Sequence, residues 1–137
     1  MLHHDTLIIG GGPAGASAAI RLARTGAAVT LVERTAGPHD KVCGDFLGGP
    51  ALAALTDLGI DAAALGGAPI ACVRLIAGTR LVEAPLPFPA RGLSRRVLDE
   101  ALLGVAAAAG ASIRRGEAVR GLDAATGRGS VLLATGK

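Results

Sequence analysis

The chain has 137 residues, half of them hydrophobic and 18% charged, with 21 Gly, 7 Pro, two Phe and neither Trp nor Tyr. A chain of this length buries roughly 68% of the surface its unfolded form exposes, which is enough for one cored domain and excludes disorder for the bulk of it. Fourteen Lys plus Arg against eleven Asp plus Glu leave a formal charge of +3, and the arginines are scattered without aromatic platforms among them, which argues against a nucleic-acid partner.

Thr6-Leu7-Ile8-Ile9 is a short continuous apolar run stopped by Gly, the pattern of a parallel-sheet strand buried on both faces. The spacing of Ala18, Ala19, Leu22 and Ala23 predicts a helix over 14–25 that stops at Gly26. A second apolar run over 28–33 closes on Glu33, so the opening segment of about thirty residues is expected to be a βαβ unit. From 34 to 50 the chain turns polar, punctuated by Gly37-Pro38, Cys43-Gly44-Asp45 and Gly48-Gly49-Pro50. A loop of that length in a compact domain tends to be functional.

A helix is predicted over 51–58 with Gly59 as its stop, and a second short helix from Asp61. Residues 73–76 and 81–83 flank Ala77-Gly78-Thr79-Arg80 as a hairpin, and Pro85, Pro87 and Pro89 are expected to forbid regular structure up to Ala90. Ser94 is a favourable N-cap, and the helix from Arg95 is expected to bury Val97, Leu98, Ala101, Leu102 and Val105 on one stripe before ending near Gly110. Residues 111–114 are expected to be a third parallel strand, followed by a hairpin of 118–122 and 131–134 about Thr126-Gly127-Arg128-Gly129.

Cys43 and Cys72 form no C-x-x-C pair, and no His or Cys cluster has metal-ligand spacing, so neither a disulfide framework nor a metal site is expected and a reducing cytoplasm is the default. The run 101–111, free of charged or strongly polar residues, is too short to span a bilayer. A secretory leader is not expected either, because Asp5 stands where a basic residue belongs and glycines interrupt the apolar stretch after Ile9.

Gly10, Gly12 and Gly15 make a G-x-G-x-x-G pattern, weak by itself in a chain with 21 glycines. Its setting strengthens it: a strand precedes it, a helix follows, and a second strand ends in an acid some twenty residues on. Gly10 permits the tight turn, Gly12 leaves room for a pyrophosphate beside the backbone, and Gly15 lets the helix approach the strand. The unpaired N–H groups and positive dipole end of the helix favour phosphate, and Pro13 sacrifices no helical bond at that position. Glu33 can accept hydrogen bonds from an adenosine ribose, while its charge opposes the 2′-phosphate of NADP.

Residues 5–33, DTLIIGGGPAGASAAIRLARTGAAVTLVE, resemble the N-terminal FAD-binding segment of flavoprotein oxidoreductases. The following ERTAGPHDKVCGDFLGGPAL resembles the loop of the geranylgeranyl reductase group and of the aromatic-hydroxylase-like FAD monooxygenases, and GLSRRVLDEALLGVAAAAGASI is similar to their next helix and strand. The resemblance implies an α/β fold, a partial Rossmann-like FAD-binding domain with a three-stranded parallel sheet, helices and a small antiparallel hairpin. It implies that Gly10, Gly12, Pro13, Ala14 and Gly15 contact the FAD pyrophosphate, Glu33 the ribose and Arg34 the adenosine. Lys41, Cys43 and Gly44 would lie along the flavin and ribityl end, Arg95 would reach the cofactor, and Val119 would meet the adenine through its backbone.

Residues 1–137 are accordingly expected to be the N-terminal part of an FAD/NAD(P)-binding domain, without the closing FAD segment or the substrate domain. Members of the family are longer and carry a later Gly-Asp segment, which does not follow Arg95 here. The expected enzyme uses NAD(P)H to reduce FAD and then reduces or hydroxylates a small-molecule or lipid-like substrate, with weak or absent FAD binding by these 137 residues alone. A small NAD- or adenosine-nucleotide-binding module and an inactive fragment or interaction protein are the alternatives.

Overall fold

Val29-Thr30-Leu31-Val32-Glu33 is buried without interruption, and half of the chain is organised around it. The computed structural model describes residues 6–123 and 130–135, with side chains over 6–121. In chain order the elements are β1 (Thr6–Ile9), α1 (Pro13–Arg24), β2 (Val29–Glu33), β3 (Phe46–Leu47), α2 (Gly49–Asp57), β4 (Ala68–Ala77), β5 (Arg80–Gly92), α3 (Arg95–Ala108), β6 (Ser112–Arg115), β7 (Glu117–Asp123) and β8 (Ser130–Thr135). They form two compact units, 1–39 with 99–137 and 40–98.

In the first unit β2 is the middle strand. β1 runs parallel to it from Thr6↔Val29 to Ile9↔Val32, and β6 runs parallel on its other side from Thr30↔Ser112 to Glu33↔Arg115. The three parallel strands are those expected from the sequence, but their order corrects one inference. β1 has a described neighbour on one side only, so Thr6, Leu7 and Ile8 are half-buried and Ile9 is 55% exposed, and the strand buried throughout is β2.

The helices obey local chemistry closely. α1 begins at Pro13 and α2 at Gly49-Pro50, earlier than the apolar periodicity suggests, because a proline's fixed φ suits a first turn where its absent N–H has no helical acceptor to lose. Each of the three helices ends on the predicted glycine, Gly26, Gly59 or Gly110, at φ +86, +85 and +104. The paired closing bonds of a Schellman motif follow, for example Ile60 N–H to the Leu55 carbonyl at 2.9 Å and Ala111 N–H to the Ala106 carbonyl at 3.0 Å. The buried stripes are rotated from those predicted: Ala16, Ala19, Ile20 and Ala23 in α1, leaving Ala18 and Leu22 exposed, and Leu98, Leu102, Leu103 and Ala106 in α3, leaving Val97 39% exposed.

In the second unit β4 and β5 form a long antiparallel ribbon closed by Gly78-Thr79, with Gly78 at φ +59. The predicted hairpin is therefore present and longer than expected. The three prolines correct the expectation that regular structure stops at 85, because β5 runs through them to Gly92. The register breaks beside them, so that 86–89 face only Ala71 between the Cys72↔Pro85 and Ile70↔Ala90 pairs. β3, hidden in the polar loop, adds two pairs to the end of β5, Phe46↔Gly92 and Leu47↔Arg91.

The predicted helix from Asp61 is only a turn. The Asp61 carboxylate accepts the Ala63 N–H at 2.8 Å, and Gly66 at φ +86 ends the turn before a helix can propagate. β7 and β8 form the expected antiparallel pair in the first unit, and the predicted turn residues 126–129 lie outside the described residues. Among the described residues no helix is long and apolar enough to cross a membrane.

Candidate functional site

The glycine turn extends the sheet before leaving it: Gly10 donates its N–H to the Val32 carbonyl at 2.8 Å and then turns at φ +102. Gly12 occupies the N-cap position in an extended conformation, and Pro13 opens α1. A Cβ on Gly15 would overlap the Gly10 carbonyl oxygen, so this position requires glycine for the helix to lie against the turn. No side chain caps α1, no acidic residue occupies its first turn, and Arg21 and Arg24 sit in its last turn. The first-turn N–H groups of Ala14 and Gly15 have no acceptor within the helix by its geometry, and the macrodipole makes this end electropositive.

Glu33 ends β2 beside that turn, 8% exposed. Its Oε2 accepts the Gly11 N–H at 2.7 Å, and its Oε1 accepts both the N–H and the hydroxyl of Thr35, at 2.9 and 2.7 Å. Gly11 is the variable position of the glycine pattern, yet a Cβ there would stand 3.1 Å from the Glu33 Cβ and 3.2 Å from Leu103. Its amide is directed to the acid, whereas the first-turn amides of Ala14 and Gly15 have no helical acceptor. These residues fit a dinucleotide: a bare backbone at an uncapped helix start, no carboxylate in the first turn to oppose phosphate, and a fixed acid one strand away.

β2–β6 register sets Arg115 across from Glu33. Arg115 binds Glu100 through two parallel bonds of 2.8 Å, and its Nε lies 3.4 Å from the Thr35 carbonyl. The hydrogen bond to Glu100 raises the guanidinium above its ordinary pKa against partial desolvation, with the charges of Glu100 and Glu33 adding to the rise. Thr35, Arg115 and Glu100 were not among the residues singled out by motif. The only local signal is a Thr two residues beyond a strand-ending Glu, a spacing at which a hydroxyl and an amide can both return to the carboxylate.

The remaining predicted residues divide between the units. In the first, Arg34 is exposed and Val119 is half-buried on β7. In the second, Cys43 and Gly44 are exposed, Lys41 is half-buried, and Arg95 is half-buried at the start of α3. Its N–H donates to Asp45 Oδ1 at 3.2 Å, so Asp45, at φ +51, caps α3 together with Ser94. Both cysteines are free and exposed, and among the described residues no cluster of metal-ligating side chains occurs.

A family described as FAD binding domain matches residues 3–131. The chain belongs to the FAD binding domain family. A menaquinone reductase of Mycolicibacterium smegmatis is 36% identical over 120 residues, which cover 84% of this chain and 29% of that protein. A menaquinone reductase of Mycobacterium tuberculosis is 43% identical over 56 residues, 41% of this chain and 14% of that one. Among solved structures, a flavin-dependent brominase superposes with TM-score 0.82 at 25% identity, covering 99% of this chain and 35% of that chain. A variant of 2-methyl-3-hydroxypyridine-5-carboxylic acid oxygenase gives 0.80 at 26% identity, covering 99% and 37%. The matched part of this chain thus spans between 14% and 37% of the length of these proteins.

Proposed function

We propose that this chain supplies the adenosine-diphosphate end of an FAD site. The pyrophosphate rests on Gly12, Pro13, Ala14 and Gly15, reached through the turn at Gly10, and the adenosine ribose is held by Glu33. The observation that carries this reading is the uncapped, acid-free start of α1 with the buried Glu33 carboxylate tied to the same turn at 2.7 Å. Arg34 flanks the adenosine and the Val119 backbone meets the adenine. For Lys41, Cys43 and Gly44 a role at the flavin and ribityl end, and for Arg95 a reach to the cofactor, rest on the family resemblance alone.

When bound, FAD would carry two electrons from NAD(P)H to a substrate, and that chemistry belongs to the cofactor. The chain's own residues bind and orient: amides and the helix dipole neutralise the phosphates, while the Glu33 charge disfavours a 2′-phosphorylated nucleotide at this position. In the longer protein of which the relatives are examples, the substrate we propose is lipid-like and quinone-related. The 36% identity to a menaquinone reductase supports this over the halogenation and oxygenation chemistry of the neighbours at 25% and 26%. The two free thiols, Cys43 and Cys72, support a reducing, cytoplasmic setting.

The test is a titration of the chain with FAD, ADP and NAD, followed by amide NMR shifts and melting temperature. Binding to these residues alone is expected to be weak, so FAD and ADP at high concentration should shift Gly12, Ala14 and Gly15 and add a small stabilisation by mass action. Gly15→Ala, which pushes a Cβ into the Gly10 carbonyl, should abolish those shifts and destabilise the chain by about 1–3 kcal/mol. NAD bound more tightly than FAD, or no response to any nucleotide, overturns the proposal.

A further inference from the structure

A glutamate at a strand end has several rotatable bonds, and a carboxylate that is to receive a sugar must be aimed. Here it is aimed from two sides: Gly11 fixes one oxygen at 2.7 Å and Thr35 fixes the other with two donors at 2.9 and 2.7 Å. Bonds to an ionised acceptor are the stronger kind, and at 8% exposure water competes weakly for them. The Thr35 carbonyl in turn faces Gly116 N–H and Arg115 Nε, both at 3.4 Å, and Arg115 is itself held by Glu100. A chain of contacts therefore runs from α3 through the end of β6 to residue 35 and ends on the acid.

We propose that Thr35 is the positioning residue that orients the Glu33 carboxylate for the ribose, a role that rests on the reading of Glu33 given above. Thr35 need not touch the nucleotide. Its hydroxyl proton meets Oε1 in a fixed direction, which sets the orientation in which the carboxylate would meet sugar hydroxyls. The glycine turn benefits as well, because the oxygen that receives Gly11 belongs to the same rigid group.

The variant that isolates the hydroxyl is Thr35→Val, which keeps the shape and the amide. It should weaken FAD or ADP binding by roughly tenfold, the loss of one bond to a charged group, and Thr35→Ser should recover binding to within about twofold. In a Glu33→Ala background the same Thr35→Val change should have little further effect, since the group it acts through is gone. An equal loss in both backgrounds, or none in the first, overturns the proposal. A readout without nucleotide separates this from the functional reading: Thr35→Val should shift the Gly11 amide resonance and speed its hydrogen exchange, while Thr35→Ser should not. If the chain binds no nucleotide, the proposed function fails, yet the Gly11 amide still decides the positioning role, and an unchanged amide overturns it.

Discussion

The two units treat similar residues in opposite ways. In β2, Val29, Leu31 and Val32 are at most 3% exposed, between parallel neighbours on both edges. In the β4–β5 ribbon, Val73, Leu75 and Val82 share one face, Ile76 and Leu81 the other, and all five are 42–69% exposed. Apolar β-branched and Leu side chains occupy strands in both, so composition and periodicity cannot distinguish a strand that carries a core from one that displays its side chains. Position in the sheet decides it: a middle strand with helices packed in its unit buries everything, whereas a two-stranded ribbon has two faces and needs something against at least one of them.

The largest expected effect tests the buried side of that contrast. Leu31→Ala removes a fully buried side chain from the middle strand and should destabilise the chain by about 2–5 kcal/mol in denaturant unfolding. A loss below about 1 kcal/mol would mean that β2 relaxes around the cavity and is not the rigid centre of its unit.

The same contrast explains what could be read from the sequence. β1, β2 and β6, the glycine stops and Glu33 depend on patterns within a few residues, and each lies where local chemistry puts it. That β1 is an outer strand, and so leaves Ile9 exposed, depends on its partners, which no window of the sequence contains. The prolines of β5 misled for the complementary reason: a missing donor terminates a strand only when a partner needs that donor, and 86–89 face a single residue on β4. At the site, the acid and the glycine turn lie 22 residues apart within one recognisable pattern, whereas Arg115 meets Thr35 across 80 residues and Asp45 meets Arg95 across 50. Contacts of that span leave no periodic trace.

A smaller effect sharpens the account of the first unit. Glu100→Gln weakens the clamp on Arg115, but both side chains are partly exposed, 34% and 24%, so the stability change should be at most about 1 kcal/mol. Its pH dependence is set on the arginine side by a folded-state pKa above the ordinary one. Such a group stabilises the fold below its unfolded pKa and loses that contribution only as pH rises through the higher folded value. Between pH 7 and about 10 the gap between wild type and Glu100→Gln should therefore stay flat on this account. A gap that closes within that window in paired melting curves would show that Arg115 is not held as the geometry indicates.

The smallest effect belongs to the ribbon. Leu75 is 66% exposed and faces Val82, itself 62% exposed, so Leu75→Thr removes little buried surface and keeps a residue suited to a strand. The unfolding free energy should change by no more than about 0.5 kcal/mol. Solubility should respond more than stability, because exposed apolar strand surface favours association between molecules. The comparison with β2 breaks if Leu75→Thr costs as much as Leu31→Ala in dilute solution. Such a loss would mean that the ribbon's apolar face is covered there, and its disappearance on further dilution would identify the cover as a second copy of the chain.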